Sequence, residues 1–193
     1  AGWACDHRLR PQSASADHVM TDARSDGLAP SDIISLVSRE VRMLDQRRLP
    51  TEAVTIAFTD WRGVVDAIKT LAIRGAPALG IAGAMGVALA ALHAPDDPDR
   101  ARAELDDACR TLRAARPTAV NLPWAVDRMR ALIDAHIGDI PSLAAVLSEH
   151  ARQIHDDEVE RCRRIGAHGK ALIHRGAKVL THCNAGALAT GGY

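Results

Sequence analysis

Cysteine and arginine are the residues in this sequence whose placement could carry chemistry. Residues 178–182 (KVLTH) read as a short buried strand, and 187–190 (ALAT) as the first turn of a helix. Thr181-His182-Cys183-Asn184-Ala185-Gly186 joins them, so Cys183 is expected at the carboxyl end of a parallel strand. In open α/β sheets ligands bind at that end, where the backbone N–H groups of the following helix are unpaired. A thiol at the positive end of a helix dipole is biased toward thiolate, the form that reacts. At an unperturbed pKa of about 8.5 only a few per cent is ionised at neutral pH. His182 is adjacent, but successive strand residues point to opposite faces, which argues against a Cys–His dyad. The other fate of a free cysteine is a small buried hydrophobe, and spacing alone leaves both open.

Arg74-Gly75-Ala76-Pro77-Ala78 is a second constellation. Gly and Ala let backbone amides approach a ligand, Pro presets a helix's first turn, and Arg offers a planar fork for phosphate. A capped turn with a surface arginine fits the same residues. Arg116-Pro117-Thr118-Ala119-Val120-Asn121 again sets an arginine just before a helix start, and by itself reads as an ordinary loop. His150, His155, Asp156, Asp157 and Glu158 resemble metal ligands in type only. Their spacing separates the two histidines around a helix, and a solvated polar face is expected. Cys109 falls on an apolar helix face and Cys162 in an arginine-rich helix, both read as structural; Cys5 carries no signal.

The elements that must hold these residues follow from periodicity. Residues 40–46 (EVRMLDQ) and 53–59 (AVTIAFT) predict a small antiparallel pair. Thr59 or Asp60 caps a helix with an apolar stripe of Val64, Val65, Ile68, Leu71 and Ala72. A small-residue helix follows the RGAP turn, and Asp97-Pro98 starts another, with Ala101, Leu105, Cys109 and Leu112 inward. Asn121 opens one with Leu122, Val126, Met129 and Ile133 inward. Ser142 opens a further stretch, and a last helix is expected from Asp156 to His174.

Composition narrows the function. Lys plus Arg equals Asp plus Glu at 24 each, so no field attracts nucleic acid or anionic lipid. Hydrophobic residues make up 47% but aromatics 3%, which favours helices packed through Ala, Leu, Val and Ile. No cysteine pair has CxxC spacing, which suits reduced thiols and a cytoplasmic setting. Residues 75–95 carry no formal charge, yet their Ala and Gly gain little from lipid, so a buried helix is expected rather than a membrane span. The first thirty residues are polar and lack the apolar run of a signal peptide, and read as a mobile tail.

AIKTLAIRGAPALGIAGAMGVALA, RPTAVNLPWAVDRM, RRIGAHGKALI and VLTHCNAGALATGGY, preceded by VRMLDQRRLP, resemble in order the signature blocks of the methylthioribose-1-phosphate isomerase family. The wider superfamily includes ribose-1,5-bisphosphate isomerase and regulatory subunits of the initiation-factor exchange complex. The match runs from about Glu40 to Tyr193, and the tail (1–30) does not look like the family's usual start. The resemblance implies an α+β N-terminal domain with a small antiparallel sheet and a helical bundle (31–175), and the first βα unit of a Rossmann-like domain (176–193). It implies a cofactor-free aldose–ketose isomerase, with no metal, acting on a sugar phosphate as a homodimer. Arg74, Gly75 and Ala76 would bind substrate, Arg116 its phosphate, and Cys183 would be the catalytic cysteine. The family's acid/base aspartate is expected beyond Tyr193, and no aspartate here matches its motif. A non-catalytic regulatory subunit and an inactive truncated remnant are the alternatives.

Overall fold

The computed structural model describes residues 28–193, together with the backbone of a short strand at His18–Met20. The rest of the expected tail lies outside the described residues. His18–Met20 (β1) pairs with the far edge of the sheet, and α1 (Pro30–Ile33) leads into β2 (Ile34–Val37). β3 (Glu40–Leu44) and β4 (Val54–Phe58) are the predicted pair, and all neighbours are antiparallel in the order β1-β4-β3-β2. The β2–β3 hairpin was not foreseen. Its two-residue turn, Ser38 and Arg39, has φ of 51° and 64°, the positive values a type I′ turn requires. Ile34 and Leu36 point inward from β2.

Asp60 accepts from the Arg62 backbone N–H at 2.9 Å and starts α2 (Trp61–Lys69). That helix stops before Leu71, which has φ 64° and stands exposed rather than continuing the expected stripe. The uncharged segment is α3 (Ala76–Leu92), with every side chain from Ala78 to Ala91 buried. A helix apolar all round belongs at the centre of a bundle. Here α2, α4 (Pro98–Ala114), α5 (Asn121–Ala135) and α6 (Ile140–Gly169) pack around it. Gly80 makes room for the Asn121 carbonyl, Gly83 for Leu122 and Gly86 for Leu112, so small residues at every third position admit the neighbouring helices. Leu105, Leu112, Leu122, Met129 and Leu147 close the core. Among the described residues no helix is long and apolar enough to cross a membrane.

Two expectations are corrected. The separate helices from Ser142 and from Asp156 are one 30-residue helix, α6, capped by Asp139, whose carboxylate accepts from the Ser142 N–H. Its buried stripe of Leu143, Leu147, Ala151, Ile154 and Val159 continues without a breaker. It ends at Gly169, short of His174, in a 3₁₀ turn at Lys170–Leu172. Residues 178–182 form no strand: Val179 is 71% and Leu180 97% exposed. A parallel strand needs partners, and no described strand lies alongside. The helical turn that should follow is present as α7 (Ala187–Thr190).

Candidate active site

α3 begins at the arginine loop. Gly75 has φ +106°, a value that L side chains rarely adopt, and its carbonyl accepts from the Leu79 N–H at 2.9 Å. The absence of a β-carbon serves a second purpose. A Cβ at Gly75 would lie 2.8 Å from the Ala189 carbonyl carbon, and closer still to the Ala189 Cα and oxygen. The arginine loop therefore packs directly on the backbone of α7 at Ala189, six residues past Cys183. Arg116 follows α4, and its carbonyl accepts from Ala119 N–H in the turn that opens α5.

These segments border a single open cleft of about 650 Å³, lined by Arg74, Gly75, Ala76, Arg116, Thr118 and Cys183, with Leu71, Leu79, Ala119 and Asn184 completing the wall. Sequence separation between Arg74 and Cys183 exceeds a hundred residues, yet every residue expected at the site lines this one cleft. Arg74 and Cys183 are exposed and Arg116 is half-buried. Two cationic forks beside backbone at a helix start suit a phosphoryl group.

The geometry of Cys183 departs from expectation. It sits at φ 71° in an irregular segment, and α7 begins only at Ala187 and lasts one turn. The anchored element is α7, which follows it. The Gln46 side-chain N–H donates to the Leu188 carbonyl at 2.8 Å, and the His155 ring nitrogen Nε2 bonds the Gly191 carbonyl at 2.5 Å. Gly191, at φ 84°, fits against Ile81 and His155, and Gly192 against Pro30. Thr190 holds the terminus through its hydroxyl, which donates to the Tyr193 carbonyl at 2.6 Å.

His155 corrects the expected solvated face. It is 93% buried by this docking, and Glu158 is buried beside it, paired with Arg161 and accepting from the Cys162 thiol. That neighbouring carboxylate and partial burial push the Cys162 thiol above its ordinary pKa, burial being the larger cause. Asp156 and Asp157 remain exposed. His150, Asp157, Glu158 and Arg161 line a smaller cleft of about 170 Å³ against Trp124 and Arg128 of α5. Among the described residues no three His, Cys, Asp or Glu side chains are placed to hold a metal ion. Cys109 is structural as expected: burial pushes its thiol up to about 11. Asp45, buried at the end of β3, is held below the ordinary carboxylate range by its hydrogen bonds to Arg47.

Residues 72–191 match the sequence profile of the Initiation factor 2 subunit family, and so take in both the arginine loop and the cysteine segment. The chain belongs to that family. Within it, this chain is 46% identical over 156 residues to methylthioribose-1-phosphate isomerase of Geotalea uraniireducens (strain Rf4), covering 80% of this chain and 45% of the relative. The enzyme of the same name from Geobacter metallireducens is 47% identical over the same span. The crystal structure of 5-methylthioribose 1-phosphate isomerase from Pyrococcus horikoshii OT3 superposes with a TM-score of 0.78 at 33% identity, over 86% of this chain and 48% of that one. Translation initiation factor eIF-2B, subunit delta, from A. fulgidus gives 0.69 at 38% identity, over 79% and 45%. This member of the Initiation factor 2 subunit family thus spans about half the length of the curated relatives it matches.

Proposed function

We propose that this chain supplies the arginine loop and the cysteine of an aldose–ketose isomerase site, converting 5-methylthioribose 1-phosphate to 5-methylthioribulose 1-phosphate in methionine salvage. The observation that carries the reading is the convergence of Arg74, Gly75, Ala76, Arg116 and Cys183 on one cleft. The similarity to isomerases at 46–47% identity supports it.

The chemistry gives each group a role. A sugar phosphorylated on its anomeric oxygen cannot open its ring unaided, so an acid must protonate the ring oxygen as the ring opens. Hydrogen then moves from C2 to C1, through a cis-enediol or as a hydride. Arg74 and Arg116 hold the phosphate and Gly75 and Ala76 bring backbone against the sugar, so binding energy orients the reacting carbons. Cys183 assists the transfer. The acid/base role falls to an aspartate outside the residues matched here. No cofactor is needed, since substrate and product differ only in hydrogen position.

The rest of the reading goes with this one. Residues 31–175 act as the N-terminal unit, and 176–193 open a Rossmann-like α/β domain, with 178–182 becoming a strand once parallel neighbours pair with it. The enzyme works as a cytoplasmic homodimer and has no nucleic-acid or membrane partner. Likeness to the eIF-2B delta subunit favours a second reading, a regulatory subunit that binds a sugar phosphate or nucleotide without turnover. Turnover of methylthioribose 1-phosphate by the natural full-length protein separates them: product supports the isomerase, whereas binding without product supports the regulatory subunit.

A further inference from the structure

Gln46 sits where the arginine loop and the cysteine segment meet. It follows β3 and is 4% exposed. Its backbone N–H donates to the Ala72 carbonyl at 2.9 Å, two residues before Arg74, and its side-chain N–H donates to the Leu188 carbonyl at 2.8 Å, five residues after Cys183. One residue therefore holds both segments. Its own backbone is fixed from either side. Asp45 N–H donates to the Val54 carbonyl at 2.8 Å, and the Asp45 carboxylate pairs with Arg47 at 2.6 Å, whose guanidinium reaches the Thr70 hydroxyl at 2.9 Å.

Packing does not explain a glutamine here. The buried Oε1 has no partner among the described residues, so a Leu or Met would fill the volume without an unpaired amide oxygen. What the amide adds is the bond to Leu188. Gln46 does not line the cleft, so it acts through the segments it joins. We infer that Gln46 is a positioning residue that sets the spacing between Arg74 and Cys183, and with it the alignment of a phosphate-held sugar against the thiol. This rests on the sugar-phosphate reading of the cleft. A displacement of about 1 Å at reacting groups lowers turnover by as much as a hundredfold, while phosphate affinity depends on arginines that Gln46 leaves in place.

The test uses Gln46→Leu, which keeps volume and removes the donor, and Gln46→Glu, which keeps shape and sets an acceptor against an acceptor. In the natural full-length protein, kcat is expected to fall by about tenfold or more while KM for methylthioribose 1-phosphate stays within about threefold. A merely structural role would not produce that split. In the 193-residue chain, amide exchange at Thr190 and Gly191 is expected to quicken by about tenfold, with α2 unchanged. Unchanged exchange in both variants overturns the tie, and unchanged kcat alongside faster exchange overturns the positioning role. If the unsubstituted protein shows no turnover, it is the sugar-phosphate reading that fails, and exchange alone then decides whether Gln46 holds the segment.

Discussion

Gly75→Ala probes the docking of the two active-site segments directly. The substituted residue must hold φ near +106°, a strain of about 1–3 kcal/mol, and its Cβ falls 2.8 Å from the Ala189 carbonyl carbon. Carbon atoms settle at roughly 3.5–4.0 Å and the Ala189 Cα lies nearer still, so one side must move by more than about 1 Å. The weaker side gives way. α7 is attached by the Gln46 and His155 hydrogen bonds, worth about 1 kcal/mol each, and by the burial of Ala189, about 1 kcal/mol more. The arginine loop continues into α3, buried along its length, and does not yield. α7 should therefore lift off while the bundle stays folded. Losing about 3 kcal/mol of attachment raises local opening by about a hundredfold, read by hydrogen exchange at Thr190 and Gly191. Turnover should drop by a similar factor as Cys183 loses its place. Gly169→Ala is the control, since its backbone is helical and nothing lies within 4 Å. Native exchange and native turnover in Gly75→Ala would refute the docking.

Other consequences are as direct. Arg74→Ala and Arg116→Ala should each raise KM by about 10–150-fold, from about 1.5–3 kcal/mol per charge-assisted bond, with kcat changed little; steady-state kinetics checks this. Leu105→Ala, at a fully buried site on α4, should cost about 2–5 kcal/mol and lower Tm by roughly 5–15 °C in calorimetry. Because Arg47 depresses the Asp45 pKa, the stability Asp45 adds is complete above its ordinary value of 3.8 and is lost as pH falls through the lower folded value. The gap in urea stability between the unsubstituted chain and Asp45→Asn should stay constant from pH 7 to about 5 and shrink below about 4. With iodoacetamide at pH 8, exposed Cys183 should be alkylated in the folded chain, and Cys109 only after unfolding, as peptide mass spectrometry can show.

What could be read from the sequence was local or carried by periodicity. Asp60 and Asp97 announced their helices because a capping side chain bonds within three residues, and the uncharged run 75–95 announced a central helix because nothing in it needs water. The β3–β4 pair showed in alternation. The Ser38-Arg39 turn hid because it reaches positive φ without Gly or Asn. Residues 178–182 have a strand's composition, but composition cannot supply the neighbour that a parallel strand requires. The cleft residues were singled out by type and by resemblance, and their convergence depended on tertiary packing. Gln46 escaped notice, and His155 was placed on a solvated face, for the same reason. Their partners lie 142 and 36 residues away, and a buried amide at a strand end reads like any polar turn residue.

The most direct test of the cleft as a sugar-phosphate isomerase site is a ³¹P NMR time course of methylthioribose 1-phosphate with the natural full-length protein and with its Cys183→Ala variant. The substrate resonance should give way to that of methylthioribulose 1-phosphate with the unsubstituted protein, and persist with Cys183→Ala. Equal conversion by both would remove Cys183 from the mechanism and contradict the role assigned to the cleft.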